Sequence, residues 1–221
     1  MRFAPEGYPF IAIGLLLAGA GWIAVWADFG GRWSQVSASL LTLLLLFTVW
    51  FFRDPIRSLP AGEHLVLSPG EGRVIDVAKV EEPTYIGGSA QKISIFLSVF
   101  DVHVQRAPVT GTVEHRSYRP GKYAVAWLDK ASEDNEQASL GIATPNGRVL
   151  VRQIAGLVAR RIITDPAQGD SVARGERIGL IRFGSRVDLF LPLDWEITCA
   201  VGDRVRVGLT VLARQPGEVA T

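Results

Sequence analysis

The sequence predicts a mainly β protein, a compact antiparallel β domain carried on an N-terminal α-helical membrane hairpin. Two observations carry that expectation. Two uncharged runs, Tyr8–Ala27 and Val36–Phe52, stand close together near the N-terminus. From Glu63 onward, short β-rich runs alternate with turn signals such as Ser68-Pro69-Gly70, Ala107-Pro108 and Pro145-Asn146-Gly147. The expected division is 1–57 for the hairpin and 58–221 for the β-rich domain.

The first run is free of charge over 20 positions. As a helix it would be about 30 Å long, the thickness of a bilayer core. Asp28–Gln35 is a polar, glycine-containing connection, and the second run of 17 residues meets the lower limit for a span. Trp22, Trp26, Trp33 and Trp50 stand near the ends of the runs, where interfacial aromatics belong. A cleaved signal peptide fits poorly, because a second apolar run follows at once and the short leading segment holds both Arg2 and Glu6. Arg2, Arg53 and Arg57 flank the hairpin, whereas its turn holds Asp28 and Arg32, which places both termini in the cytoplasm by the positive-inside rule. A hairpin that only dips into the bilayer would show the same pattern.

Two prolines, Pro55 and Pro60, close the hairpin. Strands are expected at His64–Leu67, Arg73–Val80, Lys92–Val99, Gly111–Arg116, Leu140–Thr144, Val149–Ile154 and Glu176–Phe183. Trp195–Val201 and Arg204–Ala213 would complete the domain. Ala124–Asp134 reads as one short helix, Gly156–Ile163 fits helix or strand, and Gln215–Thr221 reads as a loose tail.

Composition removes several functions. A net charge of +1 over 221 residues provides no field for nucleic acid. The single Cys199 excludes an internal disulfide and a cysteine-cluster zinc site. His64, His103 and His115 lack metal-like spacing, so no metal is expected. Apart from Lys79, Lys92, Lys122 and Lys130, every cation is arginine, the residue suited to two-point carboxylate or phosphate contacts.

Four stretches carry candidate chemistry. In Ile178–Pro192 two apolar runs meet at Gly184-Ser185 with no ordinary loop between them. By itself the pair is most simply a turn. A strained bond there would also let the Ser185 hydroxyl attack the Gly184 carbonyl, converting amide to ester, with β-elimination and hydrolysis leaving a pyruvoyl group. Leu67–Val74 presents Glu71 between two glycines, locally an exposed turn carboxylate. Phe96–Gly111 puts Asp101, His103 and Gln105 on one face if it is extended. The charge run within Tyr118–Glu136 reads as a solvated face.

Phe-Phe-Arg-Asp-Pro (51–55), Ser-Pro-Gly-Glu-Gly (68–72), Phe-Leu-Ser-Val-Phe-Asp-Val-His-Val-Gln-Arg-Ala-Pro (96–108), Arg-Pro-Gly-Lys (119–122), Asp-Lys-Ala-Ser-Glu-Asp-Asn-Glu (129–136) and Arg-Phe-Gly-Ser-Arg-Val-Asp (182–188) follow in that order. This series closely resembles the short bacterial and archaeal phosphatidylserine decarboxylases, made as proenzymes. The resemblance runs from Phe3 to about Leu212. It implies self-cleavage between Gly184 and Ser185 into a β chain (1–184) and an α chain (185–221) that stay together as a heterodimer. Ser185 would become a covalent pyruvoyl cofactor.

The implied reaction turns phosphatidylserine into phosphatidylethanolamine and CO2. The head-group amine forms a Schiff base that delocalises the electron pair left by the carboxylate. The sequence departs from the family at two places. Glu71 stands where relatives carry Asp, and Arg106 stands where longer relatives carry a second histidine. Either His103 serves as base and proton donor, or base duty falls to Glu71; the reading taken is Glu71 with His103 for processing, and His103 for protonation of the carbanion. Arg106, Arg119 and Lys122 are candidates for the lipid phosphate from charge type alone. The implied location is the cell (inner) membrane, with the catalytic domain on the cytoplasmic face. Two other readings stay open: a related decarboxylase for another, archaetidylserine-like phospholipid, or a non-enzymatic membrane-tethered β binding module in which Gly184-Ser185 is only a turn.

Overall fold

The computed structural model describes residues 2–121, 135–156, 161–182 and 185–216. The chain forms two compact units, 1–56 and 57–221.

The first unit contains strand β1 (Arg2–Phe3), a 3-10 turn (Pro5–Gly7), helices α1 (Tyr8–Trp26) and α2 (Arg32–Phe51), and strand β2 (Arg53–Asp54). β1 pairs antiparallel with β2, Arg2 opposite Asp54, which ties the two ends of the hairpin together. The helices meet where small residues permit it. A Cβ on Gly21 would lie 3.1 Å from Ala38 Cα, and Trp22 Nε1 donates to Thr42 Oγ1 at 3.0 Å. Within the helices only Ala18, Ala38 and Phe51 are buried, so most of their apolar surface has no protein cover. Both are long and apolar enough to be candidate membrane spans. α2 begins at Arg32, earlier than the expected Val36. A charge-free run marks the apolar span, whereas Arg32–Gln35 serve well enough as a first helical turn.

The second unit is built of β3 (Leu65–Leu67), β4 (Gly72–Glu82), β5 (Gly88–Leu97), β6 (Val104–Arg106), β7 (Gly111–Arg119), β8 (Gln137–Thr144), β9 (Gly147–Ala155), β10 (Ile162–Thr164), β11 (Ser171–Val172), β12 (Arg177–Ile181), β13 (Ser185–Leu191), β14 (Glu196–Ile197), β15 (Arg204–Val205) and β16 (Val211–Arg214). Eight strands form one antiparallel sheet in the order β11-β7-β8-β9-β13-β5-β4-β15. Two three-stranded sheets, β10-β12-β6 and β14-β16-β3, complete the unit.

β13 lies inside the large sheet, bonded to β5 along one edge and β9 along the other. All of its residues are buried. Val187, Leu189 and Leu191 point into the main core with Ile93, Ile95, Leu97, Leu140 and Val151. The two-residue period sends Arg186, Asp188 and Phe190 to the opposite face.

Most expected strands are present with shifted ends, and two expectations are corrected. Arg204–Ala213 is not one strand, because a turn at 207–209 separates β15 from β16. Residues 99–101 turn, so Asp101 does not share an extended face with His103 and Gln105. The two apolar runs around Gly184-Ser185 belong to different sheets, since β12 lies in a three-stranded sheet and β13 in the large one. Ile162–Thr164 is strand, while the expected helix Ala124–Asp134 lies within 122–134, outside the described residues.

Candidate active site

Ser185 heads β13, opposite Leu97 on β5 and Ala155 on β9. It occupies the core face and is fully buried. Its Oγ has no hydrogen-bond partner among the described residues, an uncommon state for a buried hydroxyl.

The turn carrying Glu71 packs against this end of the sheet. Ser68 Oγ donates to Gly70 O at 2.6 Å, tightening the turn. A Cβ on Gly70 would lie 3.5 Å from both Leu97 Cδ1 and Val187 Cγ2, so the turn rests on the strand that Ser185 begins. A Cβ on Gly72 would lie 1.9 Å from Phe96 O, an approach only glycine allows. Glu71 itself is not an exposed turn carboxylate, because its side chain is 15% exposed. Arg57 Nη2 donates to Glu71 Oε2 at 2.5 Å, and Arg57 Nη1 donates to Val207 O at 2.7 Å. No local pattern in the sequence announces that pairing.

His103 is fully buried, with Nδ1 2.9 Å from Asp101 O. A carbonyl can only accept, so Nδ1 carries the proton and Nε2 is the basic nitrogen of the neutral ring. The His103 carbonyl accepts from Ile181 N at 3.4 Å. The chain therefore leaves β12 beside His103 and enters the large sheet at Ser185. Asp101 braces the preceding turn: Oδ2 accepts from Ser98 N at 2.9 Å and Ser98 Oγ at 2.7 Å, and Oδ1 lies 3.4 Å from Arg204 Nη2. Gln105 accepts from the Gln153 amide, whose oxygen accepts from Thr164 Oγ1 at 2.8 Å. That chain joins β6, β9 and β10.

The expected phosphate ligands do not converge. Arg106 lies on β6, and its Nη1 donates to Gly175 O at 3.0 Å. Arg119 ends β7 opposite Gln137, whose own partner is Ile154, and Ile154 pairs with Arg186. This register places Arg119 on the face opposite Ser185, three strands from β13. Lys122 and Gly184 lie outside the described residues.

Two features escaped sequence reasoning. Arg186 and Asp188 form a two-point ion pair, Nε–Oδ1 2.6 Å and Nη2–Oδ2 3.0 Å, and Arg186 Nη2 also donates to Ser94 Oγ at 3.0 Å. Their adjacent positions on one strand face were a signal for it. The second is the end of the charge run: Asn135 and Glu136 are buried rather than solvated. Asn135 Nδ2 donates to Ala155 O at 2.7 Å, and Ala155 N donates to Glu136 O at 2.9 Å. Both bonds fall on the residue that pairs with Ser185.

Ser185 sealed at the head of β13, the Glu71 turn packed on that strand and the buried His103 beside the end of β12 define the candidate site. The sequence profile described as phosphatidylserine decarboxylase matches residues 44–213. A protein of Symbiobacterium thermophilum named phosphatidylserine decarboxylase proenzyme is 50% identical over 214 residues, covering 96% of this chain and 95% of its own. Proteins of the same name from Salinibacter ruber and Magnetococcus marinus are 45% and 43% identical, covering 91% and 97% of this chain and 88% and 96% of theirs. The chain belongs to the phosphatidylserine decarboxylase family and is a decarboxylase.

Proposed function

We propose that the chain is a proenzyme that cuts itself between Gly184 and Ser185, then converts phosphatidylserine into phosphatidylethanolamine and CO2 at the membrane. The observation that carries this reading is the buried Ser185 Oγ at the head of β13, without a partner among the described residues. In the first step Oγ adds to the Gly184 carbonyl carbon while its proton passes toward the basic Nε2 of His103. The Ser185 nitrogen leaves Gly184 with a proton, and an ester replaces the amide. Loss of the Ser185 α-proton then expels the Gly184 carboxylate, and water releases ammonia to leave a ketone at residue 185. Glu71, held by Arg57, supplies the negative charge that supports a cationic histidine during proton transfer.

The residues present fit a pyruvoyl group. It occupies no more room than the serine it replaces, and a core-facing strand head shields it from water. When present it would supply, through a Schiff base to the head-group amine, the electron sink that decarboxylation requires. His103, buried and fixed in one tautomer, returns a proton to the substrate carbon. The new α chain remains in place because β13 is bonded on both edges by the β chain. Arg106, on β6 directly after the His103 segment, is the candidate for the lipid phosphate. The helical hairpin anchors the enzyme in the cell membrane, with the catalytic unit on the cytoplasmic side, where substrate is concentrated in two dimensions.

Denaturing gels and intact mass spectrometry test the reading. Wild-type protein should yield a C-terminal chain that begins at residue 185 with a pyruvoyl group, and Ser185→Ala should stay whole and inactive. Two fragments from Ser185→Ala, or a wild-type chain that is never cut, would overturn it.

A further inference from the structure

We propose that Glu136 is a further catalytic residue, the carboxylate that receives the ammonium of the serine head group and takes its proton. Glu136 is 4% exposed, and its two oxygens differ. Oε1 accepts from Tyr118 OH at 3.0 Å, whereas Oε2 is buried with no hydrogen-bond partner among the described residues. A buried carboxylate oxygen left in that state is costly unless a donor arrives.

Its place in the sheet says which donor. Gln137 pairs with Ile154, so Glu136 stands opposite Ala155, and Ala155 pairs with Ser185. Ala155 lies on the core face, and cross-strand neighbours share a face, so Glu136 and Ser185 do as well. Tyr118, which holds Oε1, pairs with Ala138 on that same face. Two buried polar atoms without partners among the described residues, Glu136 Oε2 and Ser185 Oγ, thus belong to residues of one cross-strand row, with Ala155 between them. Two strand spacings separate their Cα atoms by about 10 Å, and the glutamate side chain spans part of that distance. What remains suits one amino group.

The inference rests on the reading of Ser185 as the source of the reactive carbonyl. A serine head group enters with a protonated amine, which has no electron pair to offer. Glu136 Oε2 accepts a hydrogen bond from the ammonium, then its proton. The nitrogen keeps the electron pair as a nucleophile, and the carboxylate becomes a neutral acid. The carboxylate also favours an amine-bearing head group over glycerol or a bare phosphate, which makes Glu136 a determinant of lipid choice.

Covalent capture tests the assignment without relying on turnover. Full-length cleaved protein in detergent micelles is mixed with phosphatidylserine or phosphatidylethanolamine and sodium cyanoborohydride. Intact mass of the 185–221 chain then follows attachment of each amine to the new N-terminus. Glu136→Gln should be captured about a hundredfold more slowly by both lipids. Glu136→Asp, which keeps the charge, should recover part of the rate. If Glu136→Gln fails to mature, the comparison falls on Glu136→Asp against wild type, where slower capture is expected. Capture at the wild-type rate in the cleaved variant, or slowing confined to phosphatidylserine, would overturn the assignment. A wild-type chain without a pyruvoyl terminus would instead sink the underlying reading of Ser185.

Discussion

Arg57 Nη2 lies 2.5 Å from Glu71 Oε2, and the same guanidinium donates to Val207 O. One arginine therefore fixes both the charge and the direction of the carboxylate beside the head of β13. Arg57→Ala frees Glu71 to turn away and should slow self-cleavage about tenfold, the scale of one lost hydrogen bond to a charged group. Arg57→Lys keeps the charge but loses the forked contact, so it should fall between the two. The uncut fraction against time after cell-free synthesis measures this. Cleavage of Arg57→Ala at the wild-type rate would show that the pair is only structural.

The ion pair of Arg186 and Asp188 is almost wholly enclosed, with side chains 2% and 1% exposed. Asp188→Ala leaves a buried guanidinium without its counter-charge and should cost about 3–5 kcal/mol. Denaturant unfolding of the uncut Ser185→Ala background measures that loss. Replacing both partners by Met and Leu should recover most of it, since no charge is then stranded. A double variant as unstable as Asp188→Ala would contradict the account.

Glu82 ends β4 at 1% exposure. Burial, its largest single influence, pushes the carboxyl upward. Hydrogen bonds from Thr84, Tyr85 N and Ile86 N, with the Arg152 charge, together hold it below its ordinary 4.5. A carboxyl lowered on folding stabilises the fold above its unfolded value, and that contribution fades as pH falls through the folded one. The stability gap between wild type and Glu82→Gln should thus be widest above pH 4.5 and close on further acidification. Unfolding midpoints across that range decide it, and a gap that grows in acid would be the wrong sign.

Burial, with the nearby charge of Asp203, pushes the Cys199 thiol from 9.0 up to about 11. Thiolate is the reactive form, so an alkylating reagent at pH 8 should label Cys199 about a hundredfold more slowly than an unperturbed thiol. Labelling in denaturant should restore the ordinary rate. Equal rates folded and unfolded would place the sulfur in water.

The hairpin was legible because absence of charge over a bilayer's thickness is a local property. Most strands were legible from β-branched runs between turns, with shifted ends, although Arg204–Ala213 is split by a turn. Ser185 stood out because two apolar runs met there, yet those runs proved to lie in different sheets. Asp101 was misplaced because a period of two was applied through residues that turn. Glu136 was read as solvated because its neighbours in sequence are charged, whereas its neighbours in space are on β7 and β9.

The sequence by itself determined the membrane-type hairpin, the β-rich unit and the Gly184-Ser185 junction, each written in contiguous residues. Only the tertiary structure decided which polar side chains are sealed and which meet. Arg57 finds Glu71, Glu136 shares a row with Ser185, and β13 sits between strands far apart in sequence. Spacing assigns a side chain to a face, but whether water reaches that face depends on distant segments folding over it.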